Sequence, residues 1–306
     1  MSDYELKPAV SYIKPLKLLM YGPTYAGKTW NGLKIALGIV MKIRGCTEAE
    51  AYKHIIMLDS ENKRGALYAY MGPYNYKEIE PPFLAEKITN EIDLLNDVNQ
   101  IDVILIDSLT HYWSKTGGIL DRKAKKDAKG GNGYTNWQEF TAIFSEMIDT
   151  ILQSPKVVIA TTRSKNDTVM EANDKNKMVP RTYGLKPDLR DDIDYDFDIV
   201  FNVDKQSHNL IMEKGVPGIK NVYEVDGPEI GMELYDLFNA GAVPAPRTAQ
   251  DVVDTIKRLV RTNNKVQFVQ LKLSGKKLDD LELKPLLALE KELLAEIKKD
   301  QLKKHN

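Results

Sequence analysis

The chain carries a single cysteine, Cys46, so no internal disulfide can form and a reducing setting, the cytoplasm, is expected. It has no apolar run long enough to span a bilayer, and the opening Met1–Lys14 is polar and mixed in charge, unlike a secretory signal. An excess of one charge is missing too. The formal net charge is −1, so any affinity for nucleic acid must come from a local cluster of cations. Internal repeats, long low-complexity tracts, a metal-ligand cluster, a Ser/His/Asp set and a dinucleotide fingerprint are all absent. What is present is an ordinary globular composition, 42% hydrophobic and 28% charged over 306 residues. That suffices for one large α/β domain with a small appendage, or two modest domains.

Short apolar runs alternate with helical patterns. Strands are expected at Leu16–Tyr21, His54–Asp59, Asp102–Asp107 and Lys156–Thr161, with later ones at Phe197–Val203 and His208–Glu213. Helices are expected from the first glycine-rich segment to about Arg44, over Thr47–Lys53, Phe83–Asn99 and Trp137–Leu152. Tyr68–Pro82 gives no clear pattern, and Thr168–Tyr183 reads as a hairpin turning at Asn173-Asp174-Lys175-Asn176. The alternation implies a mainly parallel sheet flanked by helices, with late antiparallel strands. Residues 1–243 form this expected core. Ala-Val-Pro-Ala-Pro-Arg at 242–247 breaks the pattern, and 244–306 is expected to be a linker and small helical module. Its helices are Ala249–Arg261 and Lys284–Lys299, the second with Leu286, Leu289, Leu293 and Ile297 on one face.

The segment Gly22-Pro23-Thr24-Tyr25-Ala26-Gly27-Lys28-Thr29 carries the strongest chemistry. Phosphates need several backbone N–H groups aimed at one point, and glycines let the backbone come close. Lys28 then reaches the β- and γ-phosphates, Thr29 offers its hydroxyl to magnesium, and the start of the helix, through Trp30, favours the anion. An apolar strand before and a helix after supply the required context. ATP with Mg2+ is the expected ligand. Asp107, ending Val103-Ile104-Leu105-Ile106, stands where a strand-end carboxylate would hold that magnesium through water, or would otherwise cap the next turn. Ser114–Asn136 is locally basic, with Lys115, Arg122, Lys123, Lys125, Lys126 and Lys129 against Asp121 and Asp127. Trp113, Tyr134 and Trp137 flank it, and Gly117-Gly118 and Gly130-Gly131 supply mobility. Cations with nearby aromatics are the ingredients of a single-strand site, and also of a solvated helix face. His111 reads as structural.

Over Leu16–Val243 the chain resembles the phage-encoded RecA-like P-loop ATPases, often labelled AAA-family, that include ATPase single-strand annealing proteins. Beyond the phosphate loop, the resemblance rests on Met57-Leu58-Asp59-Ser60-Glu61, Asp107-Ser108-Leu109-Thr110, Val179-Pro180-Arg181, Gly184–Asp191 and Tyr195–Val200. It implies that Glu61 orients the attacking water, since Ser108, after the strand-end aspartate, is no base. A solvated carboxylate at a helix start is the other account of Glu61. The resemblance also implies that Thr161 or Thr162 senses the γ-phosphate, and that the basic stretch is a DNA-binding loop. It further implies single-stranded DNA as partner, assembly into a homo-oligomeric ring or filament, and recombination or replication partners in a bacterial host cytoplasm, with no membrane. Similar hexamers and KaiC-like proteins often carry a Lys-x-Arg pair acting on a neighbour's nucleotide. Here Lys214 stands alone, and Arg181 or Arg190 are the substitutes. The competing functions are a replication-type motor or helicase-loading ATPase, a small-molecule kinase, and a nucleotide-gated binding protein.

Overall fold

The structure, a computed structural model, describes residues 9–130, 132–172, 178–244 and 246–304. They fall into two compact units, Lys14–Ala242 and a smaller one of residues 9–13 and 243–304.

The larger unit is built on nine strands: β1 (Lys17–Gly22), β2 (Ile55–Asp59), β3 (Asn75–Glu78), β4 (Val103–Asp107), β5 (Val157–Ala172), β6 (Met178–Pro187), β7 (Ile199–Val203), β8 (Leu210–Lys214) and β9 (Val222–Tyr223). The order is β3-β2-β4-β5-β1-β7-β8-β9, with β6 paired to β5 alone. From β3 to β7 all pairs are parallel. The additions β8 and β9 are antiparallel. This is an α/β arrangement with a mainly parallel sheet, in which β5 lies between β1 and β4.

The central strands are apolar on both faces through their middles, as at Leu18–Tyr21 and Val103–Ile106, because both faces are covered. On β1, Leu18 and Met20 face one core while Leu19 and Tyr21 face the other. Val103 and Leu105 of β4 alternate in the same way with Ile104 and Ile106. One face is covered by α1 (Lys28–Arg44), with α2 (Glu48–Ala51) following it. The other takes α3 (Ala85–Asn96), through Ile88, Ile92 and Leu95. After β4 come α4 (Thr110–Ser114), α5 (Ile119–Asp127) and α6 (Gly133–Gln153), the last burying Phe140, Phe144, Met147 and Ile151 on that second face.

β5 runs for 16 residues and changes partners along its length. Through Arg163 it belongs to the central sheet. From Ser164 it pairs with β6 alone, forming a two-stranded ribbon of Ser164–Ala172 against Met178–Pro187. The expected hairpin is therefore longer than Thr168–Tyr183, and its turn at Asn173–Asn176 lies outside the described residues. The ambiguous Tyr68–Pro82 stretch contains the 3-10 helix Gly65–Met71 in part and the edge strand β3.

A helix absent from the sequence expectations, α7 (Glu229–Phe238), packs on α1. The two approach at glycines. A Cβ on Gly38 would lie 1.8 Å from Pro228 O, and one on Gly231 would lie 2.1 Å from Ile35 O.

In the smaller unit, Val243 joins the N-terminal segment: Ile13 N–H donates to Val243 O (3.0 Å) and Val243 N–H to Ser11 O (2.9 Å). Helices α8 (Ala249–Asn263), α9 (Val266–Leu273) and α10 (Leu283–Lys304) enclose their own core of Val252, Val253, Ile256, Val269, Leu286 and Leu293. Arg247 closes it through a forked ion pair with Glu290, at 2.6 and 3.0 Å. Among the described residues no helix is long and apolar enough to cross a membrane.

The α1–α7 contact makes a direct prediction. Gly38→Ala improves helix propensity, yet drives a methyl group into a backbone carbonyl that cannot rotate away. The substitution is expected to cost about 1–3 kcal/mol, the scale of core overpacking, read from urea denaturation midpoints. A stability equal to or above wild type would show that the two helices separate freely.

Candidate active site

The parallel strands β1, β2, β4 and β5 end at one edge of the sheet, and the chemistry gathers there. The phosphate loop follows β1. Gly27 (φ 91°) and Tyr25 (φ 66°) take left-handed conformations, which turn successive N–H groups toward a common point. Gly27 caps α1, whose first turn holds no acidic side chain, so the positive end of the helix dipole is unopposed. The Lys28 ammonium donates to the carbonyls of Gly22 and Pro23, both at 2.8 Å, and stays within the loop. Burial pushes its pKa down, and the carboxylates of Asp107 and Glu61 oppose that shift. From behind, the His208 ring contacts Ala26 O at 3.0 Å and the Asn31 amide donates to His208 O at 3.0 Å. The β7–β8 connection thus braces the loop.

Asp107 is buried, and its two oxygens take different hydroxyls. Thr29 donates to Oδ2 at 2.6 Å and Thr161 to Oδ1 at 2.5 Å. Burial pushes the Asp107 pKa up; the hydroxyls pull it back. A carboxylate and a threonine hydroxyl are hard oxygen groups of the kind magnesium prefers. Thr162, one residue on, points to the opposite face and bonds Thr110 Oγ1 at 2.7 Å. Of the two threonines, Thr161 is the one joined to Asp107.

Glu61 reaches the same edge from β2, which pairs with β4 in the register Asp59↔Asp107. Asp59 anchors the segment. Its carboxylate accepts from Glu61 N–H (2.6 Å), Gly65 N–H (2.8 Å) and Tyr76 OH (2.8 Å). Arg163 donates to Glu61 through Nε (3.2 Å) and through Nη2 to both oxygens (3.0 and 2.9 Å). Ser108 Oγ donates to Glu61 Oε1 at 3.2 Å, and His111 Nε2 lies 3.4 Å from it. Burial pushes the Glu61 pKa up, but Arg163, His111 and Ser108 outweigh it and hold the carboxyl below its ordinary value.

Two cavities flank the phosphate loop. One, of about 380 Å³, is lined by Lys28, Thr29, Glu61, Asp107 and Arg163. The other, of about 590 Å³, is lined by Tyr25, Trp30, Tyr68 and the segments 207–209 and 224–226. Thr24, exposed on the loop, borders the first.

The remaining expected site residues lie elsewhere. Lys214, on β8, donates to the carbonyls of Tyr195 (2.7 Å) and Asp194 (3.3 Å) and lines neither cavity. Lys115 follows α4 directly. On α5, Arg122 pairs with Glu86, Lys123 with Asp127, and Lys125 with Asp121. Lys126 pairs with Glu139, and Lys129 follows the helix. Gly131 lies outside the described residues. The sequence alone assigns no site role to Asp59, Ser108 or Arg163. Asp59 ends β2 and Arg163 follows Thr162 within β5, but nothing in their spacing says that they meet Glu61.

A family model described as an AAA domain matches residues 14–269. No curated protein matches the chain. Among solved structures, a KaiC-like protein from the hyperthermophilic archaeon Pyrococcus horikoshii is similar at 13% identity and a TM-score of 0.38. The match covers 71% of this chain and 88% of that one.

The Asp59 anchor can be tested directly. Asp59→Ala leaves the buried Gly65 N–H, the half-buried Glu61 N–H and the Tyr76 phenol without their acceptor, at an expected cost of about 1–3 kcal/mol. The amides of Glu61 and Gly65 should then exchange with solvent much faster. Unchanged exchange would mean that the segment holds its shape without Asp59.

Proposed function

The chain belongs to the AAA domain family, and we propose that it is an ATPase that binds ATP at Gly22–Thr29 and hydrolyses it with Glu61 directing the attacking water. One observation carries this: the Glu61 carboxylate faces the same cavity as Lys28, Thr29 and Asp107. The base is assigned to the larger cavity, where Trp30, Tyr25 and Tyr68 offer aromatic faces. The phosphates follow the loop to the smaller one. Lys28, now turned onto loop carbonyls, exchanges them for phosphate oxygens. When bound, magnesium neutralises charge on the phosphate oxygens. Thr29, and Asp107 through water, are the groups that would hold it. Glu61, kept ionised by its partners, accepts a hydrogen bond from water and orients it for in-line attack.

Lys28→Ala is expected to weaken nucleotide binding and turnover with the circular dichroism unchanged. Glu61→Gln keeps shape and reach but loses the base. It should bind ATP normally with turnover lowered about 100-fold or more, the usual scale for general-base loss. Normal phosphate release by either folded variant contradicts the assignment.

Single-stranded DNA is proposed as the partner, in phage-type recombination or annealing, with a ring or filament as the working form. The resemblance of Gly184–Asp191 and Tyr195–Val200 supports this, as do the lysines that follow the β4 strand. One observation favours a second reading, an ATPase with a different partner. Four of the α5 cations already meet carboxylates, as on a solvated helix face. Replacing Lys123, Lys125, Lys126 and Lys129 with alanine decides between them. Under the first, fluorescence anisotropy on a labelled oligonucleotide shows weaker binding and a flatter salt slope, because fewer counterions are released. An unchanged slope leaves the second.

A further inference from the structure

Glu61 cannot be placed by its own backbone. It is followed by two non-glycine residues in the left-handed region, Asn62 (φ 59°) and Lys63 (φ 63°), and its side chain rotates about three bonds. Within the segment, Arg64 Nη1 lies 3.6 Å from Glu61 Oε2, an ion pair too long to be a hydrogen bond, so the direction of the carboxylate is fixed from outside it. Arg163 makes the largest set of contacts to it, a fork that uses Nε and Nη2 against both oxygens. A planar guanidinium fixes direction as well as distance, which a lysine ammonium does not.

Arg163 is itself held on every side. In the β1–β5 ladder it stands opposite Gly22, the first residue of the phosphate loop. Its N–H donates to Thr110 Oγ1 at 2.8 Å, and its carbonyl accepts from Asp188 N–H at 2.7 Å. It is the last residue of β5 in the central sheet, immediately before the ribbon begins. His111 completes the arrangement. Its Nδ1–H donates to Ser60 O at 2.6 Å, which fixes the ring with Nε2 3.3 Å from Arg163 Nη2.

We propose that Arg163 is a positioning residue for hydrolysis: from the root of the ribbon it holds the Glu61 carboxylate toward the cavity shared with Lys28 and Thr29. The proposal rests on the reading of Glu61 given above. Arg163 contributes through Glu61, so its removal lowers the rate of the chemical step and leaves nucleotide affinity in place.

The test measures kcat and KM for ATP with magnesium in wild type, Arg163→Ala, Arg163→Gln, Arg163→Lys, Glu61→Gln and the double variant Glu61→Gln/Arg163→Ala. Binding of a fluorescent ATP analogue serves as the check on folding. Arg163→Ala should lower kcat on the order of 10- to 100-fold, the scale of a misplaced catalytic group, with KM nearly unchanged. Arg163→Lys should recover part of the loss. In the Glu61→Gln background, removing Arg163 should have no further effect, because the two act as one unit. Unchanged or raised kcat in Arg163→Ala overturns the proposal, and so does a further drop in the double variant, which would place the guanidinium on the phosphate itself. Should Arg163→Ala fail to bind the analogue, Arg163→Gln and Arg163→Lys carry the same comparison. Full turnover in Glu61→Gln sinks the functional reading and this proposal together. Lost turnover there with normal Arg163 variants sinks the positioning role alone.

Discussion

Asp107 is the joint on which the site depends. The phosphate loop and the aspartate strand are not neighbours, since β5 runs between β1 and β4. The gap is closed by one buried carboxylate that takes a hydroxyl from each side, Thr29 from the start of α1 and Thr161 from β5. A buried carboxylate is costly unless its oxygens are satisfied. The two threonines therefore fix the carboxylate and link three elements in the same act. The parallel sheet does the rest by bringing the carboxyl ends of its strands to one edge.

The second carboxylate obeys a different constraint. Glu61 comes from a connecting segment, not from a strand. It needs an anchor for its backbone, Asp59, and another for its side chain, Arg163. The first lies two residues away in sequence and the second about a hundred. A short local motif thus supplies the group, and a distant strand end decides where it points. The same Arg163 marks the boundary between the central sheet and the two-stranded ribbon, so the ribbon is attached to the sheet beside the cavity lined by Lys28, Thr29, Glu61 and Asp107.

Much of this was legible in the sequence because the signals are local and periodic. The phosphate loop reads directly from its glycines, lysine and threonine. The central strands read from unbroken apolar runs whose alternate residues face two covered layers. The amphipathic face of α10 reads from Leu286, Leu289, Leu293 and Ile297, all in one core. What escaped was tertiary. Strand β3 has only four residues and a polar sequence, and it forms because β2 offers an open edge. Helix α7 is short, and two glycines, Gly38 and Gly231, let it close on α1. His111 read as structural, and its ring does support Arg163, but nothing local showed that it faces Glu61. In Ser114–Asn136 the sequence was open to a DNA-binding loop or a solvated helix face, and in the structure Asp121, Asp127, Glu86 and Glu139 lie within reach of four of its cations. Lysine counts alone do not reveal such pairing.

The central claim is that the groups at this edge direct water, and not another acceptor, onto the terminal phosphate of ATP. Rapid-quench measurement with the full chain in excess over terminally labelled ATP and magnesium, following ADP and inorganic phosphate together, tests it most directly. The account predicts that both appear at the same rate and in equal amounts, with no other product. ADP formed without free phosphate, or neither product formed, would contradict it.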